Sequence, residues 1–207
     1  AKNFNQQLEK WDVSNVTSMF SMFRCATEFN QPLEKWNVSN VIYMSQMFEK
    51  ATNFNQPLEN WDVSNVTAMH GMFCEAENFN QPLEKWDVSN VTDMSHMFLA
   101  PQFNQPLEKW DVSNVTSMSG MFANSNFNQP LEKWDVSNVI DMSQMFEKAT
   151  NFNQPLEKWD IINVTSMSRM FENSNFNQPL EKWDVSNVID MSQMFEKATN
   201  FNQPLEN

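Results

Sequence analysis

The chain has 207 residues, with 8 tryptophans, 16 methionines, only 2 glycines and a formal net charge of −13. That charge disfavours binding to a phosphate backbone, which needs clustered Lys and Arg. It favours solubility and is compatible with cations or basic partners, a solvated acidic surface being the plainer reading. No apolar run reaches the ~18 residues of a membrane span, and no signal-peptide pattern stands in these residues.

Tryptophan falls at Trp11, Trp36, Trp61, Trp86, Trp110, Trp134, Trp159 and Trp183, 24 or 25 residues apart throughout. Each opens nearly the same phrase. A period in that range marks a stacked-repeat architecture. The expectation is one continuous repeat solenoid over 1–207, about eight coils of one short strand plus one short helix or 3₁₀ turn. Such a body offers a long surface in place of a cleft. The chain opens and stops inside a phrase, which reads as a segment of a longer array.

Within a phrase, Leu8, Trp11, Val13 and Val16 are the apolar positions of a half-buried strand, with Lys10, Asp12 and Ser14 alternating outward. Met19, Met22, Phe23 and Ala26 follow at i, i+3, i+4 and i+7, one apolar face of a helical turn. Ser14, Asn15 and Thr17 precede it as N-cap types. Pro32 then turns the chain back, since it lacks an N–H and cannot extend a helix. The expected core is therefore the rows holding Trp36, Trp61, Trp86, Met69, Met72, Phe73, Met94, Met97, Phe98 and Phe122. The 24-residue phrases lose one residue just after the helical turn, where a loop absorbs a deletion.

Asn40, Asn65, Asn90, Asn114 and Asn138 belong to a position that is asparagine in every phrase, as do Asn5, Gln6 and their copies. The expectation is a buried asparagine ladder, hydrogen-bonded along the stack. Asn65, Asn90 and Asn114 also sit in N-V-T sequons, but burial would leave them unglycosylated. Outside, aspartates including Asp87, Asp111 and Asp135 form one column, lysines a second and glutamates a third, with Lys–Asp diagonals offsetting repulsion. The varied positions are Phe20, Tyr43, His70, His96 and Arg169. They are either drift on a solvated face or the place where partner specificity is written. Cys25 and Cys74, about 10 Å apart at sheet spacing, are too distant for a disulfide.

The run Val16-Thr17-x-Met19-x-x-Met22-Phe23-x-x-Ala26-x-x-Phe29 resembles the BspA-like leucine-rich-repeat family. It resembles more closely that family's branch in mycoplasma and other bacterial surface lipoproteins, and the resemblance spans the whole chain. It implies a right-handed leucine-rich-repeat-like superhelix, display outside the cell or on its surface, and adhesion.

With two glycines there is no phosphate-cradling loop. There is no H-E-x-x-H or C-x-x-C, and neighbouring His70 and His96 lack a clear third ligand. Near-identical phrases offer few unique constellations for catalysis. The expectation is a non-enzymatic structural or adhesive module with no cofactor and no metal. Its partner is a protein or cell surface, and not nucleic acid. A self-assembling fibre or shell element stacking end to end is the alternative, and a cation- or crystal-binding ladder a weaker one.

Overall fold

In the computed structural model, residues 1–205 are described; Glu206 and Asn207 of the trailing phrase lie outside the described residues. Coils are numbered here from tryptophan to tryptophan, coil 1 starting at Trp11 and coil 8 at Trp183. Every coil is held to the next at one parallel bridge: Ser18 to Tyr43, Tyr43 to Ala68, and on through Asp93, Ser117, Asp141 and Ser166 to Asp190. Equivalent residues of successive phrases therefore lie side by side along the whole chain.

The Trp-Asp-Val segment is shaped by two tight turns. The Trp11 N–H donates to Leu8 O (2.9 Å) and the Val16 N–H to Val13 O (2.9 Å), a pair that recurs in every coil. The strand expected here is absent: no strand occurs among the described residues, and each coil's bridge falls further on, at the Ser18 position, yet Trp and Val still point inward because the turns keep their alternation. The indole N–H, a donor that must be satisfied when buried, donates to a leucine carbonyl 28 residues back, one period before the leucine of its own turn: Trp36 to Leu8, Trp61 to Leu33, Trp86 to Leu58, each near 3.0 Å.

The expected helical turn is absent: no helix occurs among the described residues. The segment is instead a run of turns that also forms a ladder. The N–H groups of Met19, Ser21, Phe23 and Cys25 donate to Tyr43, Ser45, Met47 and Glu49 of the next coil at 2.8–3.0 Å. Between them, Met22, Arg24 and Ala26 donate to Met19, Ser21 and Phe23, three residues back. An α-helix over this stretch would draw the Phe23 and Cys25 N–H groups into its own i→i−4 bonds, with only its first four N–H groups left over, and so would break the ladder to the next coil. Both arrangements turn Met19, Met22, Phe23 and Ala26 to one side, so the inward face is as expected while the element is different.

The turns require left-handed backbone at two positions per coil. Ser21 and Cys25 in coil 1 have φ of 53° and 57°, and their counterparts behave alike. Among the described residues thirteen that are not glycine adopt positive φ, each costing about 1–2 kcal/mol relative to the right-handed form. Burial and inter-coil hydrogen bonds have to offset that strain. In coil 4 the second position is lost: Phe98-Leu99-Ala100-Pro101 drops the residue equivalent to Glu75. In coils 5 and 7 the deletion falls later. There buried Ser125 and Ser174 take the alanine position and donate to Phe122 O and Phe171 O at 2.8 Å.

One apolar cluster runs from Leu8 to Met194. The expected core residues Trp36, Trp61, Trp86, Met69, Met72, Phe73, Met94, Met97, Phe98 and Phe122 are all buried in it. Its spine is a double stack of phenylalanines. Phe73 and Phe79 lie 3.9 Å apart within a coil, and Phe73 is 5.6 Å from Phe48 and 6.0 Å from Phe98 in the coils on either side. Such near-parallel rings bring large buried area plus specific contact energy.

Candidate interaction faces

A half-exposed amide ladder is built from the F-N-Q segment. Asn30 N–H and Gln31 Nε2 both donate to Asn5 Oδ1 at 3.0 Å, and Asn55 with Gln56 repeat this on Asn30. These amides satisfy the returning chain, where Pro32 and its copies supply no donor.

The second asparagine column behaves differently from expectation. Asn40, Asn65, Asn90, Asn114 and Asn138 are exposed, not buried. They do form a ladder: each Nδ2 donates to a serine carbonyl of the coil before, at 2.7–2.8 Å. The carbonyls lie at the edge of the turn, so the amides that cap them stay in solvent.

The charged columns pair differently too. Lysine does not neutralise aspartate. Lys35 meets Glu9, Lys85 meets Glu59, Lys109 meets Glu84 and Lys133 meets Glu108, at 3.0–3.2 Å. Where lysine is missing, Asn60 Nδ2 donates to Glu34 (2.8 Å). Asp87 and Asp111 each accept from the backbone N–H and the hydroxyl of the serine two residues on, and Asp135 from the Ser137 N–H. These are Asx-type turns. In Asp12, Asp62, Asp135 and Asp184 the serine hydroxyl, then its N–H, holds the carboxyl below its ordinary pKa.

Of the varied positions, Phe20 and Tyr43 are 60% and 52% exposed on the bridge-bearing face of coils 1 and 2. His70 and His96 are brought together, ring centroids 5.9 Å apart in an edge-to-face pose. Arg169 lies far along the stack in coil 7, its Nε bonded to Gln193 Oε1 (2.6 Å) and 3.6 Å from Glu172. The expected face is therefore brought together only at His70 and His96; Phe20 and Tyr43 stand exposed on coils 1 and 2, and Arg169 lies apart in coil 7.

His96 also explains Gly120; Gly71 has only ordinary contacts, with Gln46 and Cys74. Gly71, His96 and Gly120 occupy the same phrase position in successive coils, all with positive φ. A Cβ on Gly120 would collide with the His96 ring. The sequence held this signal: its only two glycines flank its second histidine in register. His96 Nδ1 is buried without a hydrogen-bond partner. Burial first, and His70 second, push its pKa below the ordinary value. Burial, with Glu75 and Glu49, pushes the Cys74 thiol up to about 11, and both cysteines are free. Among the described residues no cluster of three His, Cys, Asp or Glu could hold a metal ion, and no helix is long and apolar enough to cross a membrane.

The family model for "Mycoplasma protein of unknown function, DUF285" matches residues 1–107 and again 100–207. The chain belongs to this family. Two consecutive matches to DUF285 cover the chain end to end, as expected where the family's unit is itself an array of the phrase. No curated protein matches the chain.

Proposed function

We propose that this DUF285 chain is a right-handed, leucine-rich-repeat-like solenoid with turns in place of the helix. It serves as a non-enzymatic adhesive module that presents an extended surface to a protein or cell-surface partner. The observation that carries the reading is the division of its surface. The core, Asn and Asp positions are nearly constant from coil to coil. The bridge-bearing face varies, and on it Phe20, Tyr43 and His70 are exposed or half-exposed. Aromatic side chains free of the core are the usual anchors of an interface. The resemblance to BspA-like surface repeats supports display outside the cell.

The test is adherence of chain-coated beads to cultured epithelial cells and to immobilised matrix proteins. Adherence above albumin-coated beads is expected. It should weaken in steps through Tyr43→Ala, His70→Ala and the triple change of Asp87, Asp111 and Asp135 to Asn. Adherence no better than albumin would overturn the reading, as would a turnover reaction abolished by one substitution.

A further inference from the structure

The Asn and Thr positions of the N-V-T segment form a second face, on which no charged side chain stands. Asn15, Thr17, Asn40, Ile42, Asn65 and Thr67 line a shallow groove of about 510 Å³ along the stack. The equivalent residues from Asn114 to Thr165, centred on Ile140, line another of about 480 Å³. The same feature is thus built twice, four coils apart, or about 19 Å at ladder spacing.

Its hydrogen-bonding character follows from what each group already does. The serine carbonyl beneath Asn40, Asn65, Asn114, Asn138 and Asn163 can only accept, so Nδ2 must face it, at 2.7–2.8 Å. That fixes the amide and leaves Oδ1 free; among the described residues nothing donates to the Oδ1 atoms of this column. Thr67, Thr116 and Thr165 commit their only hydroxyl hydrogen to a carbonyl of the coil before, at 3.1–3.5 Å. Toward the groove they keep lone pairs and a methyl group. The walls are therefore rich in acceptors, carry methyl groups and are rigid, on a protein that is otherwise strongly acidic.

A ligand matched to such walls is uncharged, rich in hydroxyl donors and apolar on its ring faces. An extended peptide fits poorly. Its N–H groups facing one side repeat at about 6.8 Å, every second residue of a strand, against about 4.8 Å for the amides. Anionic polymers are repelled by the neighbouring aspartates. We infer that the Asn–Thr grooves bind an extended neutral polysaccharide. Its hydroxyls donate to the asparagine Oδ1 atoms and its C–H faces lie on the threonine and isoleucine methyls. Prior fixing of the amides lowers the ordering cost of binding, and two grooves in line make affinity rise with polymer length.

This face is separate from Phe20, Tyr43 and His70, so the two readings fail separately. The test is affinity electrophoresis of the full chain through native gels containing dextran, mannan or hydroxyethylcellulose in turn. Calorimetry then follows with the polymer that retards it. Retardation by at least one is expected. It should fall at least tenfold in apparent affinity in a Thr67→Lys/Thr116→Lys double variant, and in an Asn40→Ala/Asn138→Ala pair, which removes the accepting Oδ1 atoms, should the lysine variant misfold. Tyr43→Ala should leave it unchanged. No retardation by any of the three polymers overturns the inference, as does retardation undiminished in the groove variants.

Discussion

At the scale of single residues, the His96–Gly120 contact is the least forgiving point on the surface. Gly120 has φ of 59° and no room for a Cβ beside the His96 ring. Gly120→Ala should therefore destabilise by about 1–3 kcal/mol through backbone strain and collision. Adding His96→Gln, the residue that coils 2, 6 and 8 carry there, should restore part of the loss. Chemical denaturation of the single and double variants measures the coupling. The same histidine sets a pH dependence. Its folded pKa lies below the ordinary 6.5, so the unfolded chain binds the proton first. Stability is then level above that value and declines as pH falls below it, until the folded form is also protonated. The depressed aspartates act in the same direction at lower pH: their contribution is present above 3.8 and is lost as pH falls through their lowered values. Melting temperatures compared between about pH 7.5 and pH 5 should fall further for the native chain than for His96→Gln.

At the scale of the element, each coil is a set of turns whose remaining hydrogen bonds leave the coil. Trp110 Nε1 donates to Leu83 O (3.0 Å) in the buried interior. Trp110→Phe should cost about 1–3 kcal/mol, because the interior loses indole volume and Leu83 O keeps only its bond from the Trp86 N–H. Asn90→Leu removes a similar bond, to Ser64 O at 2.7 Å, but at an exposed site. Water can replace the amide there, so the cost should be smaller, about 0.5–1.5 kcal/mol. Urea unfolding of the two variants side by side checks the order; a larger loss for Asn90→Leu would refute the distinction. Phe122→Ala, in the middle of the phenylalanine stack, should exceed both at about 3–5 kcal/mol.

At the scale of the whole molecule, stability is a chain of nearest-neighbour terms, since every coil bonds only to the coils beside it. Excising 134–158, one full period, should leave a folded protein with unchanged secondary-structure spectra and a modestly lower melting point. Removing about half a period should abolish folding of everything beyond the cut, because inward and outward positions fall out of register. Hydrogen exchange should be slowest in coils 3 to 6. It should be fastest at the outer coils, where Trp11 and Ile189 stand 57% and 86% exposed.

The sequence by itself determined the period, the inward rows of tryptophan, methionine and phenylalanine, and the outward columns. Inside and outside are written in the local spacing of apolar residues, and any element that satisfies the spacing buries the same face. Only the tertiary structure decided what that element is and whom each polar group meets. A helix and a ladder of turns share the Met19-Met22-Phe23-Ala26 pattern; the choice went to the turns because alternate N–H groups find carbonyls in the next coil. Lys35 meets Glu9 and not Asp12, because partners 23 and 26 residues away are indistinguishable until the stagger between coils is fixed. The exposed asparagines follow from the same stagger, which sets their target carbonyls at the rim of the turn. An amide ladder was legible in the sequence. That its free oxygens line a groove was not, because the orientation of each amide depends on an acceptor supplied by another coil.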